Sequence, residues 1–353
     1  MNRFVSKVMK DNGLDAIVFT NHYNIRYLTG YTGDTGILLL TAKKGFLLTD
    51  FRYIFQAENE AKGVEVEDVA KNGYTGLMKQ IFADNGVKTA GFEGEHTLFS
   101  ELSGWKKKCR GVKFVDVDAQ LSELRIIKTP EELEKLRMAE HIGDLAFEDI
   151  LKYLKPGVTE LEIAARLEFS LKMHGAEAIS FDPIVASGVN SSMPHAIPSG
   201  KKIEKGDFVT MDFGCKYQGY CSDMTRTVVV GKASDKQKKV YNKVLEAQLA
   251  VLSKLKPGLT GVEIDKIARD IIDASEFKGS FGHGLGHGVG LYIHETPNAN
   301  ARYDKKMKAG MTLTDEPGIY LAGFGGVRIE DMGAFTAKGF ENFAKSPKEL
   351  IEL

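Results

Sequence analysis

Cysteine is scarce in this chain: three thiols in 353 residues, an odd number over a long sequence, exclude a disulfide framework. They are expected to remain free and to pack as small apolar side chains in a reducing compartment. No uninterrupted apolar run approaches the ~18 residues of a membrane-spanning helix. Nor does Met1–Lys10, which alternates charge with single apolar residues, contain the continuous apolar segment of a secretory signal. Neither sign of charge dominates, since 47 basic and 48 acidic side chains leave a formal net charge of -1. The basic excess that a general nucleic-acid or acidic-membrane partner requires is therefore missing. The one dense basic run, Lys106-Lys107-Lys108-Cys109-Arg110, has no aromatic residue interleaved and reads as a solvated face. These absences predict a cytoplasmic protein with no nucleic-acid and no membrane partner.

What is present has the composition of an ordinary globular protein, and the length exceeds what one hydrophobic core serves. Two domains follow. In the first, Ala16–Thr20, Gly36–Leu40 and Gly45–Thr49 are apolar runs of strand length, with helical patterns at Tyr53–Lys62 and Gly76–Asn85. That is an α/β domain over residues 1–123. A second domain, 124–353, opens on a long helix: Thr129 as N-cap, Pro130 at the first helical position and Glu132 completing a capping box. Its apolar spacing runs to Leu154, where Pro156-Gly157 stops it.

An internal repeat organises this second domain. Leu154-Lys-Pro-Gly-Val-Thr-Glu-Leu-Glu-Ile163 returns as Leu255-Lys-Pro-Gly-Leu-Thr-Gly-Val-Glu-Ile264. In each copy Pro-Gly ends one helix, and Thr with Glu three residues later caps the next. A fainter echo aligns Lys205–Gly214 with Ala309–Gly318, placing Asp212 and Glu316 at the same point of the two halves, 104 residues apart. Asp223 and Glu330 follow them, and His195 and His294 precede them. Duplicated half-domains, each offering two carboxylates and a histidine, would enclose a pseudo-symmetric site.

Asp212 ends a strand-like run and Asp223 precedes another, an arrangement a hairpin would turn towards one point. Buried acids that face each other repel unless cations lie between them, so four converging carboxylates imply divalent metal. Hard oxygen ligands with one imidazole suit Mn, Co, Zn or Fe rather than a structural thiolate site. The segment Gly282-His-Gly-Leu-Gly-His-Gly-Val-Gly290 lacks the Lys-Ser/Thr ending of a P-loop. Its glycines instead allow close backbone approach, and His195, His283, His287 and His294 are candidates for metal or substrate contact. His174, without such company, is expected to be structural.

Asp212, Asp223, His287 in His-Gly-Leu-Gly-His-Gly-Val-Gly-Leu, Glu316 in Glu-Pro-Gly-Ile-Tyr and Glu330 in Gly-Val-Arg-Ile-Glu-Asp resemble the pita-bread metallopeptidases of the Xaa-Pro type, aminopeptidase P and prolidase among them. Tyr23–Gly30 and Leu48–Tyr53 resemble the creatinase-type N-terminal domain. The resemblance implies an α/β N-terminal domain followed by an α+β pita-bread catalytic domain with internal pseudo-two-fold symmetry. It implies two divalent ions, manganese first, held by Asp212, Asp223, His287, Glu316 and Glu330. It further implies a homodimer and a proline-containing peptide as substrate. Glu316 would shuttle a proton, His195 and His294 would donate hydrogen bonds to the substrate and to the developing oxyanion, and His283 and Arg328 would orient substrate or ligands. Some prolidases carry an arginine after the His-Glu-x-Pro segment to bind a dipeptide carboxylate. Asn298 stands there in this chain, with Arg302 four residues on as a substitute. That departure favours an Xaa-Pro aminopeptidase over an Xaa-Pro dipeptidase. A methionine aminopeptidase typically lacks the N-terminal domain, and the complete ligand set speaks against a metal-free, creatinase-like amidinohydrolase. A non-catalytic peptide-binding module on the same fold would have lost ligands or histidines that this chain keeps.

Overall fold

The computed structural model describes residues 2–353. The chain folds as two compact units that divide between Arg125 and Ile126.

The first unit is a six-stranded sheet between helices. Its strands are β1 (Ala16–Phe19), β2 (Ile37–Thr41), β3 (Gly45–Thr49), β4 (Glu65–Asp68), β5 (Thr89–Phe92) and β6 (Lys113–Asp116), in the order β4-β3-β2-β1-β5-β6. β1 runs antiparallel to β2 and parallel to β5. Both faces are covered, so the central strands are apolar on both sides. Ala16 and Val18 pack into one core with Leu77, Ile81 and Trp105, while Ile17 and Phe19 pack into another with Val5, Ile25 and Leu121. The helices are α1 (Arg3–Asp11), α2 (His22–Thr29), α3 (Ile54–Glu60), α4 (Gly73–Asp84), α5 (Phe99–Lys108) and α6 (Asp118–Leu121). Two of them replace the expected Tyr53–Lys62 and Gly76–Asn85, with ends displaced by one to three residues. Lys106, Lys107, Lys108 and Arg110 are all exposed, and the three cysteines are buried thiols outside any disulfide.

The second unit repeats one plan twice. α7 (Pro130–Leu151) and α8 (Glu160–Met173) pack on the sheet of β8 (Ile184–Ser187), β9 (Phe208–Phe213) and β12 (Met224–Val229), with β7 (Ala178–Ile179), β10 (Cys215–Tyr217) and β11 (Tyr220–Cys221) beside it. α9 (Asp235–Lys254) and α10 (Gly261–Asp273) share a core with β14 (Glu295–Ala299), β15 (Thr312–Asp315), β16 (Gly318–Leu321), β17 (Gly325–Arg328) and β18 (Asp331–Phe335). β13 (Gly286–Gly288) pairs with β14, and β19 (Phe340–Asn342) with β18.

The duplicated motif starts α8 and α10 in the same way. Thr159 and Glu162 form a reciprocal capping box, as do Thr260 and Glu263. Gly157 and Gly258 adopt φ of 95° and 97°, a left-handed turn that a side chain would strain. An isolated bridge then joins Thr159 to Lys202 and Thr260 to Lys306. Each copy thereby docks a helix start on the chain leading to a carboxylate-bearing strand. The long opening helix carries its expected capping box, Thr129 with Glu132, and ends at Leu151, three residues before the apolar spacing runs out.

Candidate metal centre

Strand alternation creates the acidic face. β9 and β12 pair antiparallel with Asp212 opposite Thr225. Opposed residues share a face and alternate residues along a strand return to it, so Asp212, Thr225 and the preceding Asp223 lie on one side, with Thr210 and Thr227. The other side presents Val209, Met211, Phe213, Met224 and Val228 to the helices. Both strands are therefore buried throughout, with the acids on one face and only Arg226 charged on the other. In the second half Asp315 opposes Asp331 across β15 and β18, which sets Glu316 and Glu330 one step beyond the paired ends.

Hydroxyls orient both glutamates. Thr225 Oγ1 donates to Glu330 Oε2 at 2.7 Å, and Thr314 Oγ1 donates to Glu316 Oε1 at 3.1 Å. The glycine-rich segment brings His287 in from β13. An added Cβ on Gly286 would lie 2.1 Å from the Thr314 carbonyl oxygen, so only glycine permits that approach. His287 Nε2 ends 3.5 Å from Asp223 Oδ2 and 3.5 Å from Glu316 Oε1. Its Nδ1 lies 3.1 Å from the Gly288 carbonyl, the contact of a protonated Nδ1, which leaves the Nε2 lone pair aimed at the acids.

Arg328 crosses between the halves. It donates from Nη2 to Asp212 Oδ2 at 2.7 Å, from Nη1 to Tyr320 Oη at 2.9 Å and from Nε to Thr225 Oγ1 at 3.0 Å. Tyr320 Oη in turn lies 2.9 Å from His283 Nε2, and His283 Nδ1 lies 2.8 Å from the Gly284 carbonyl. His283 thus faces Tyr320, 4.0 Å from the nearest Glu316 oxygen. His195 and His294 are exposed at the cavity, and His294 stacks edge-on against His287 with ring centroids 4.5 Å apart.

The cavity has a volume of about 690 Å³ and is lined by all five predicted ligands, by His195, His283, His294 and Arg328, and by Asn298. Arg302 is not among its lining residues and is exposed beyond β14, so the proposed stand-in for a carboxylate-binding arginine is not placed in the cavity. His174 sits outside it, with Nε2 2.8 Å from Asp149. Sequence reasoning passed over Tyr320, although it ends the Glu-Pro-Gly-Ile-Tyr motif, and the two threonines that face the glutamates.

The electrostatics fit divalent cations. Asp223, His287 and Glu330 each offer a ligand atom, all within 4.8 Å of one another. Burial, then Glu330, Asp212 and Glu316, push the Asp223 carboxyl well above its ordinary value. Burial and the neighbouring acids do the same to Glu330, and burial moves Glu316 up to about 8. Burial lowers His287 to about 4, which keeps the imidazole neutral and able to coordinate. Asp212 Oδ1 is buried with no hydrogen-bond partner. Acids this crowded, with a spare oxygen and a neutral imidazole, match a hard-cation site.

A pH effect on the metal-stripped protein follows. The Glu316 carboxyl lies above its unfolded value, so its stability contribution is complete below pH about 4.5 and is lost as pH rises through about 8. His283 and His287, both lowered to about 4, act oppositely and only below about 6.5. Between pH 6.5 and 8 the acids alone govern, and one such group costs about 1.4 kcal/mol per pH unit, or about 2 kcal/mol over the window. Chelated protein should therefore melt at lower temperature at pH 8 than at pH 6.5, and added divalent metal should remove the difference. A flat or rising melting curve in chelator would contradict the acid cluster.

Known proteins resemble this chain over nearly its whole length. Residues 134–337 match the model of metallopeptidase family M24, and residues 4–127 match that of the creatinase/prolidase N-terminal domain. An Xaa-Pro dipeptidase of Pyrococcus horikoshii is 38% identical, with 99% of each chain covered. Among solved structures, an Xaa-Pro dipeptidase from Bacillus anthracis is 43% identical with a TM-score of 0.96, covering 99% of each chain. An X-Pro aminopeptidase from Thermotoga maritima is 35% identical with a TM-score of 0.91, covering 98% of this chain and all of that one.

Proposed function

This chain belongs to metallopeptidase family M24, and on that premise we propose that it is an Xaa-Pro aminopeptidase with a dinuclear metal centre, releasing the first residue from peptides with proline second. The carrying observation is the convergence of Asp212, Asp223, His287, Glu316 and Glu330 on one cavity that also presents His195 and His294. These five residues would hold two divalent ions, manganese first among Mn, Co, Zn and Fe. Bound there, the ions supply Lewis acidity at the scissile carbonyl and a water acidified to near-neutral pKa.

The protein's own groups do the rest. Glu316, steered by Thr314, takes the proton of the attacking water and passes it to the leaving proline nitrogen. His195 and His294 donate hydrogen bonds to the substrate and to the oxyanion as its charge develops. His283 acts through Tyr320 and Arg328, which hold Asp212 in place. The fold resemblance supports a homodimer, and the composition supports a cytoplasmic location.

Asn298 and the bonds of Arg328 favour the aminopeptidase over the dipeptidase. The lining residues include no lysine, and their one arginine is committed to Asp212, Tyr320 and Thr225. A dipeptide's terminal carboxylate finds no free guanidinium there. The similarity to the Bacillus anthracis Xaa-Pro dipeptidase supports the second reading. Comparing kcat/KM on Xaa-Pro dipeptides and on Xaa-Pro-Yaa peptides tests both: the longer substrates should be preferred by about tenfold, equivalent to ~1.4 kcal/mol. Preference for the dipeptide would establish a prolidase. Failure to cleave either with metal fully loaded would leave a peptide-binding module.

A further inference from the structure

The two histidines exposed at the cavity sit on loops, and each loop is tied down by a buried carboxylate that the proposed chemistry does not use. The first loop, residues 187–199, carries His195. Glu160, the opening residue of α8, is fully buried and grips both ends of that loop. Its Oε1 accepts from the Ser187 backbone N–H at 2.7 Å, from the Ser187 hydroxyl at 2.9 Å and from Asn190 Nδ2 at 3.0 Å. Its Oε2 accepts from the Ser199 backbone N–H at 3.1 Å and from the Ser199 hydroxyl at 2.6 Å. A carboxylate offers about four acceptor sites, and this one loop fills them all.

The second loop, residues 290–295, carries His294. Glu295 Oε1 accepts from the Tyr292 backbone N–H at 3.0 Å, and Oε2 accepts from Lys128 Nζ at 3.1 Å. Both side chains of this ion pair are buried, 1% and 4% exposed. Lys128 is itself fixed by its backbone N–H to the Gly310 carbonyl at 2.8 Å. The internal repeat shows why the two devices differ. The second copy has Gly261 where the first has Glu160, so no side chain at that place reaches the second loop. The Lys128–Glu295 pair takes over there.

We propose that Glu160 and Glu295 are positioning residues, each immobilising one cavity histidine through its loop. The proposal rests on the roles given above to His195 and His294. A misplacement of about 1 Å can cost up to ~10²-fold in rate, so the clamps are read in turnover as well as in mobility.

The test uses full-length, metal-loaded protein with Glu160→Gln and Glu295→Gln, and the milder Ser199→Ala in case a glutamine variant folds poorly. Glu160→Gln should speed amide hydrogen exchange in residues 188–198 and leave 291–295 unchanged, and Glu295→Gln should do the reverse. Metal content should match the parent. On an Xaa-Pro peptide Glu160→Gln should lower kcat/KM by about tenfold, yet by less than about twofold in a His195→Ala background, because the clamp acts only through that ring. Ser199→Ala should give a smaller loss in the same direction. Unchanged exchange in the paired loop overturns the proposal, as does an equal loss with and without His195. Should the parent cleave no Xaa-Pro peptide, the peptidase reading fails, and the exchange measurement still decides whether each carboxylate holds its loop.

Discussion

Asp223→Ala should abolish hydrolysis of Xaa-Pro peptides, lowering kcat/KM by roughly 10³-fold or more, and should leave the protein short of bound metal. Losing a partner of a ligand typically costs 10- to 100-fold, and losing a proposed ligand whose oxygen lies within 4.8 Å of the donor atoms of His287 and Glu330 should exceed that. Asp223 is also the acid on which the other three press: burial and the charges of Glu330, Asp212 and Glu316 all raise it. Removing it relieves repulsion in the absence of cations. At pH 8 in chelator, the variant should therefore melt at a higher temperature than the chelated parent, although it is inactive. This opposition of function and stability is the signature of a site built to hold charge, and a misfolded variant would not show it. Full turnover with full metal loading in Asp223→Ala would remove the centre from the mechanism.

Arg226→Met should cost about 3–5 kcal/mol of stability, the range for breaking a buried ion pair from one side. Arg226 and Asp331 are 1% and 0% exposed and meet at 2.8 Å. The guanidinium also donates to the carbonyls of Glu330 at 2.6 Å, Ser346 at 2.9 Å and Pro347 at 3.0 Å. It thus ties β12 of one half to β18 and the C-terminal segment of the other. Methionine keeps much of the volume but leaves these acceptors without their donor in a dry interior. Lys348, Gln248 and Asn342 still reach Asp331 Oδ2, which keeps the fold within reach of denaturant titration. By contrast, breaking the exposed Lys44–Glu65 pair should cost no more than about 1 kcal/mol. Equal effects of the two changes would mean that Arg226 does not bridge the halves.

Much of this protein is legible in its sequence. Local signals carry their own physics: the capping boxes at Thr129, Thr159 and Thr260 need only a hydroxyl and a carboxylate three residues apart, and all three formed. Strand stretches such as Gly45–Thr49 follow from apolar runs of the right length. The proposed ligands stood out because Asp212 and Glu316 fall at the same place of a duplicated segment and each is followed by a second acid, 11 and 14 residues on, a crowding that repulsion disfavours unless cations join it.

Histidine spacing brought the cluster to the cavity but did not say what each ring faces. His283, His287 and His294 lie within twelve residues and all line the cavity, yet each meets different partners there. A register shift in the pairing of β13 with β14 falls right after His287. His287 turns to Asp223 and Glu316, His283 turns to Tyr320, and His294 lies open at the cavity. Arg302 illustrates the same limit, since its separation from Asn298 says nothing of its direction, and it is exposed away from the cavity lining.

By itself, then, the sequence determined the family and the two-fold plan of the second unit, and it named the five residues proposed as metal ligands. Those rest on residue type and on order along the chain. Tertiary structure alone decided that Arg328 pairs with Asp212 across 116 positions, that Arg226 finds Asp331 across 105, and that Glu160 rather than its counterpart Gly261 holds a loop. A buried charge must find its partner wherever packing brings one, and nothing in the spacing of two distant residues says which strands will lie side by side.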